Sequence, residues 1–508
     1  MARGLDPRNE HERFARLHSL QFGNGAANEL MAGETSTDAE GQQMARERSD
    51  TSDLTAAPPG SNPCDRVDAN TKNCWWHQNL WPLIATAATL VVGMAFTFWW
   101  APLYYHVNIW LTPGDIWSTF RDAHYVGWGS EQTIYAAGTS LVTFPGIAVL
   151  LTPIAMLQNP LHLSSSVPYY LYKPTEWFVL GPVDMLLGGF FLFPLNKFAT
   201  RLSISSRRRI TLVWFEAILV WAVVVLYGHP EDTIAMALAV YALLAVLDES
   251  WLHAGFFFGL AVAFQPLTLL VLPIALVRIP WRKWPMLAGE IVLPSALLLI
   301  GPLVKNWGPT TRALLKQPNF PTLNHPTPWL ALAPQLSPAR YVLIPTIFNH
   351  TLADGKRIPV AGLKRVLSGE VVSAGPGREM AFALVIVIAV ILYRHKPSWP
   401  RLVWWIAVAL SLRCVFESIL DPFYFFPGLA IAVLASFTTR WWKMSLTMLF
   451  ASACTVASFW HLGEWPYYLL VTSSLLLTLA FAYPSEGTLR LVAENDDANV
   501  ADSQNQPV

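Results

Sequence analysis

Charge is what this chain has least of. Asp, Glu, Lys and Arg make up 13% of its 508 residues, about half the share found in an ordinary soluble protein. Hydrophobic residues make up 53%. That balance excludes a soluble multidomain chain and an intrinsically disordered one. Excess charge of one sign is also missing: 34 basic residues meet 34 acidic ones, and no nucleic-acid partner is expected. The four cysteines, Cys64, Cys74, Cys414 and Cys454, are too few and too scattered for a disulfide framework. Cys64 and Cys74 lie near His77 but lack a clear fourth metal ligand. No short apolar stretch with a cleavage site follows Met1, so no signal peptide is expected. The dinucleotide fingerprint, the His-Glu-x-x-His zinc motif, the nucleophile elbow and the haem motif are all absent. So is any internal repeat of the kind many transporters show.

What the chain does have is long apolar runs, and a helix needs about 20 residues to cross a bilayer. Such runs fall at 80–101, 140–157, 177–195, 210–227, 233–248, 252–277, 285–304, 380–393, 402–418, 422–438, 444–460 and 466–482. The expected fold is an all-α polytopic transmembrane bundle of about 11–13 membrane helices. It occupies residues 79–483, between disordered cytoplasmic tails at 1–78 and 484–508. Gln265-Pro266 splits one run into two short helices. Lys and Arg concentrate at 197–209, 278–283, 394–401 and 440–443. The positive-inside rule puts these connections in the cytoplasm and the loops 102–139 and 305–378 outside. Parity then allows only one of 140–157 and 177–195 to span. The 305–378 loop holds nine basic residues against Asp354 and Glu370, which its length permits on the outer side.

Ionised groups near hydrocarbon are costly and mark function by default. Asp115 opens an aromatic amphipathic segment after Pro113-Gly114. It suits a general base for a hydroxyl acceptor, or the cap of a short helix. Asp122 follows on the same segment. Gly228-His229-Pro230-Glu231-Asp232 packs three polar groups into a helix start. They suit sugar-hydroxyl or divalent-metal binding, or stabilisation of the helix dipole. Arg413, Glu417 and Asp421 are spaced by four. That spacing gives either a self-neutralising ladder or an Arg that holds a lipid phosphate, oriented by Glu417, with Tyr424 beside it. Arg378, after a glycine-rich turn, is placed to anchor a phosphate. Asn324 and His325 lie in a Pro-rich turn that suits sugar contact. Asn349-His350-Thr351 matches the N-glycosylation pattern. Asp184, Glu216 and Glu290 are isolated acids within apolar runs. They read as neutral hydrogen-bonded groups or as a transporter's proton relay.

Several of these features together resemble the GT-C class of integral-membrane glycosyltransferases, and within it the bacterial polyprenol-phosphate-mannose-dependent mannosyltransferases. The resemblance rests on Gly114-Asp115, Ile134-Tyr135, Phe144-Pro145-Gly146, the Gly228–Asp232 turn and Gly255-x-x-x-Gly259 running to Gln265-Pro266. It covers roughly residues 80–440 as layout and loose motifs. Phe144-Pro145-Gly146 replaces a Tyr-Pro-Pro-like sequence. Gln265 stands where a basic residue is common, which shifts phosphate binding to Arg413 or the basic loop. The resemblance implies sugar transfer, with mannose the expected sugar, from a polyprenyl-phosphate donor to a lipid or glycan acceptor on the outer face of the cell membrane. Asp115 would be the base. The implied substrate-binding residues are Asp122, His229, Glu231, Asp232, Asn324, His325, Arg378, Arg413, Glu417 and Tyr424. The one cofactor in view is a divalent metal. The competing class is a transporter or flippase for an anionic lipid or polyol.

Overall fold

The computed structural model describes residues 71–484 apart from 101–109, 111, 136–143, 159, 164–172, 322–323, 339, 352–356, 369–370 and 461. The expected tails before residue 71 and after residue 484 lie outside the described residues. The chain divides into two compact units, 1–80 and 81–508, and the site lies within the second. Helix α1 (Thr71–Ala95) begins inside the stretch expected to be an unstructured tail.

There follow α2 (Gly114–Gly127), α3 (Gly146–Met156), α4 (Trp177–Gly189), α5 (Leu192–Arg201), α6 (Ser206–Trp221), α7 (Pro230–Leu247), α8 (Trp251–Phe264), α9 (Leu272–Leu276), α10 (Trp284–Lys305) and α11 (Trp307–Thr311). The short strands β1 (His325–Pro326) and β2 (Gln335–Ser337) precede the hairpin β3 (Arg340–Thr351) and β4 (Arg357–Ser368), and β5 (Val371–Val372) follows. The chain ends in α12 (Gly377–His395), α13 (Trp399–Phe416), β6 (Ile419–Leu420), α14 (Phe426–Ser436), α15 (Trp441–Ala457) and α16 (Glu464–Ala482).

Among the described residues seven helices are long and apolar enough to cross a membrane, fewer than the expected count. Part of the difference lies in runs that fold as short helices, at Gly146–Met156, Trp251–Phe264, Pro266–Leu276 and Pro422–Ser436; α12, with 19 residues, carries Arg378, Glu379 and Arg394 at its ends, and α15 has 17 residues. The 422–438 run yields a turn of 3-10 helix, Pro422–Phe425, and then α14, of 11 residues and buried throughout. The parity conflict resolves by length. Helix α3 is an 11-residue helix, about 16 Å long and too short to cross. Trp177–Arg201, which joins α4 and α5, has 25 residues. The 252–277 run is a hairpin as expected: Gln265 is extended (φ −146°, ψ 110°) between α8 and a short turn that leads to α9.

Helix α7 is the centre of the bundle, with 89% of its apolar window buried. Ala235, Ala237, Ala239 and Ala242 let neighbouring helices approach its backbone closely. At the other extreme, only 28% of the window in Trp281–Lys305 is buried. It presents Val292, Leu297, Ile300 and Val304 outward. A continuous apolar surface of this kind belongs against lipid.

The four basic connections meet at one end of the bundle. Arg208 Nη1 donates to the carbonyls of Phe437 (2.9 Å) and Thr439 (2.7 Å). Arg278 donates to Pro397 O, and Phe198 packs edge-on to Trp399 with ring centroids 6.2 Å apart. At the opposite end, β1 pairs with β6 (His325↔Leu420), and β2 pairs with β5. The first ladder ties the 305–378 loop to the end of α13, and the second closes the loop on itself. The β3–β4 hairpin, in register from Arg340↔Ser368 to Thr351↔Arg357, is the departure from an all-helical reading.

Candidate functional site

Asp115 sits in the first turn of α2, and no side chain caps that helix. Its carboxylate points across to the start of α7 instead: Asp115 Oδ2 lies 3.0 Å from His229 Nε2, across 114 residues of sequence. His229 Nδ1 lies 2.6 Å from Glu231 Oε1. The side chains form a row from solvent to interior, 60% exposed at Asp115, 15% at His229 and 5% at Glu231. Asp232, one residue on, accepts from Gln265 Nε2 at 2.7 Å. The break in the hairpin thus delivers Gln265 to the site. Glu231 and Asp232 also keep their place in the first turn of α7, where the helix dipole favours negative charge.

Gly228 makes the Asp115–His229 contact possible. It has φ +72°, a left-handed conformation that glycine adopts without steric cost. A Cβ there would lie 2.8 Å from Ile116 Cβ and 3.0 Å from Pro113 Cβ. Gly228→Ala is therefore expected to cost about 1–3 kcal/mol and to move His229 away from Asp115. Thermal unfolding in lipid nanodiscs would measure the loss. A variant as stable as the wild type would show that the approach is not tight.

The second half of the site is built on the end of α13. Arg413 Nε donates to Glu417 Oε2 at 3.1 Å, the pair expected from their spacing. Arg378, at the start of α12, donates to Glu417 Oε1 through Nε (3.0 Å) and Nη2 (2.8 Å), and also to Gln317. Glu417 is fully buried. Burial alone would raise its pKa, but Arg378 and Arg413 outweigh it and hold the carboxyl below the ordinary carboxylate value.

Asp421 does not join this ladder. The helix stops at Phe416 and Glu417 is extended, so the period of four is lost. Asp421 instead accepts from Asn324 Nδ2 at 3.2 Å and comes within electrostatic range of Asp115 and His229. Burial, followed by the Asp115 charge, pushes its carboxyl up to about 7.

Aromatic rings join the two halves. His229 stacks on Phe423 with centroids 3.7 Å apart. Phe423 meets Tyr424 edge-on at 4.8 Å, and the Arg413 guanidinium lies 3.6 Å over the Tyr424 ring. Beside Phe423, a shallow apolar depression is lined by Tyr227, Phe426 and Phe459 among others.

The residues expected to act thus divide. Asp115, His229, Glu231, Asp232, Asn324, Arg378, Arg413, Glu417 and Tyr424 lie along one connected path. His325 is buried, with its ring flat on Tyr467 at 4.2 Å. Asp122 is buried farther along α2, where its charge is felt by Tyr135. Sequence reasoning left Asp421, Gln265 and Phe423 out of the site. Asp421 is singled out by its spacing from Arg413 and Glu417, and Gln265 by its place in the resemblance, but neither signal sets them beside Asp115 and His229.

The carboxylates do not fit a divalent cation. The His229 ring stands between Asp115 and Glu231 and engages both. Among the described residues no group of three His, Cys, Asp or Glu side chains is arranged to hold a metal ion. No protein-family model matches the chain, and no curated protein matches it.

Proposed function

We propose that this chain is a membrane glycosyltransferase of the GT-C kind. It would transfer a sugar, mannose by resemblance, from a polyprenyl-phosphate donor to a lipid or glycan acceptor at the outer face of the membrane. One observation carries the reading: an exposed carboxylate is connected through His229, Phe423 and Tyr424 to an arginine pair, Arg413 buried and Arg378 part-exposed, beside an apolar depression. A lipid-linked anionic substrate needs this combination. Its chain takes apolar surface, its phosphate takes cations, and the incoming hydroxyl needs a base.

In the proposed step, Asp115 takes the acceptor's hydroxyl proton as the oxygen attacks the anomeric carbon. The bond from that carbon to the phosphate oxygen breaks, and its electron pair leaves with the lipid phosphate. Arg378 is 31% exposed at its side chain and offers donors directly. Arg413, sealed against Tyr424, adds positive potential from behind.

The test is transfer by purified full-length protein in liposomes, supplied with polyprenyl-phosphate mannose, other polyprenyl-phosphate sugars and membrane-lipid acceptors. Product is expected from the wild type and not from a folded Asp115→Asn variant.

A second reading, a transporter or flippase for an anionic lipid or polyol, draws support from Asp184. This residue is fully buried, and neither carboxylate oxygen has a hydrogen-bond partner among the described residues. It lies within electrostatic reach of Glu231 and His229. If no sugar is transferred while Asp184→Asn abolishes uptake into liposomes, the second reading replaces the first.

A further inference from the structure

We infer that His229 is a positioning residue: a doubly protonated imidazole that grips Asp115 and Glu231 at once and holds the Asp115 carboxylate aimed outward. This rests on Asp115 being the base of the proposed transfer.

The geometry requires two donors. Nε2 faces a carboxylate oxygen at 3.0 Å and Nδ1 faces another at 2.6 Å. A neutral imidazole carries one N–H, so its other nitrogen would set a lone pair against a carboxylate. The imidazolium donates from both nitrogens.

The surroundings favour the same state. The charged groups facing the ring are acids from every element packed around it: Asp115 on α2, Glu231 and Asp232 on α7, Asp184 on α4, and Asp421 before α14. The one guanidinium of this cluster, Arg413, acts on Asp232 and Asp421. Phe423 covers one face of the ring at 3.7 Å, an arrangement that attracts a cation. Burial alone would push the His229 pKa down, but Glu231 and Asp115 outweigh it and hold it well above the ordinary value. Gly228 and Pro230 on either side fix the backbone that presents the ring.

Two consequences follow for the base. Facing a cation, the Asp115 carboxylate is anchored by the ring, while burial and the Asp115 charge push the neighbouring Asp421 carboxyl up to about 7. Asp115 also stays anchored only while the ring is charged. Above the pH at which His229 loses its proton, the one remaining N–H stays on the shorter contact to Glu231 (2.6 Å against 3.0 Å), so Nε2 presents a lone pair to Asp115 and the anchor turns repulsive. Transfer should therefore fall on the alkaline side, under the control of a residue that does not touch substrate.

The deciding experiment is imidazole ¹⁵N NMR of the full chain, labelled at histidine, in lipid nanodiscs. The His229 signals are assigned by their loss in His229→Gln. Both nitrogens are expected to be protonated at about pH 7, and Asp115→Asn is expected to lower the ring's proton affinity about tenfold. A ring with one proton at that pH, or a titration unmoved by Asp115→Asn, overturns the inference. This arm needs no turnover, so it decides the state of His229 even if the wild type transfers no sugar and the transferase reading fails. Where transfer is seen, His229→Gln should lower kcat about 10–100-fold with little change in KM, and should remove the alkaline fall. His229→Lys should restore part of kcat. A His229→Gln profile with the same alkaline limb as the wild type would assign that limb to another group and end the inference.

Discussion

Glu417→Gln is expected to lose about 3–5 kcal/mol of stability, the largest effect of any single substitution in the site. The carboxylate is fully buried and accepts from both Arg378 and Arg413. Gln keeps the shape but removes the charge, and turns an N–H₂ group toward a guanidinium. Arg378 can swing to water, since its side chain is 31% exposed. Arg413 cannot, at 6% exposure, so the loss falls mainly on an uncompensated buried cation. Replacing the pair together, as Arg413→Met with Glu417→Met, should recover much of the stability because no charge is then stranded. Unfolding in mixed micelles would separate the two cases. A cost below about 1 kcal/mol for Glu417→Gln would mean that the pair is solvated and not structural.

The same triad sets a pH dependence. The Glu417 pKa is depressed in the folded protein relative to its ordinary value of 4.5. Its contribution is therefore complete above about that value and is lost as pH falls through the folded value. Acid unfolding should begin below the ordinary carboxylate range, and Glu417→Gln should flatten that limb. His229 has the opposite sign. Its raised pKa makes its contribution complete below its ordinary value of 6.5, and lost as pH rises through the folded value.

The membrane helices were legible wherever an apolar run was long and uninterrupted. The errors came from runs that do not have to satisfy the bilayer alone. Helix α14, packed against Ser411 at Gly428, is short because other helices surround it. The hairpin of β3 and β4 was illegible for a different reason. Apolar residues fall at both odd and even positions of its two strand sequences, so there is no alternation of period two to read. Pro345 and Pro359 argue against a strand until one sees that a two-stranded ribbon leaves each strand a free edge for a missing N–H.

Within the site, what depends on local spacing was legible. The Arg413–Glu417 pair follows from a separation of four on a helix. Asp421 shows where that logic ends, since it holds only while the helix continues. The contact between Asp115 and His229 has no signature at all, because 114 residues separate them and only the packed bundle brings them together. Gly228 carried a hint: a glycine before His-Pro at a helix start fits a left-handed turn. Its partner Ile116 could not be named from sequence. The aromatic bridge through Phe423 and Tyr424 was hidden in plain composition, because aromatics at span ends are ordinary in membrane proteins.

Asp115→Asn is expected to lower kcat about 10²–10⁴-fold and leave KM within about threefold of the wild type. The side chain is 60% exposed and the His229 ring keeps Glu231 at 2.6 Å as its partner, so the protein should fold. Asn Oδ1 can still accept from His229 Nε2, which preserves the local geometry. What it cannot do is take a proton from an attacking hydroxyl. The effect should therefore appear in the chemical step and not in binding, and this distinguishes a base from a substrate contact. Asp421→Asn provides the comparison. Its carboxyl is held by Asn324 at 3.2 Å and pushed up to about 7. It is already half neutral at that pH, and its loss should reach only about tenfold. If the two variants show the same kcat, or if Asp421→Asn is the more damaging, the roles are exchanged and Asp421 becomes the base. If Asp115→Asn changes KM alone, the carboxylate binds substrate and the proton must leave by another route.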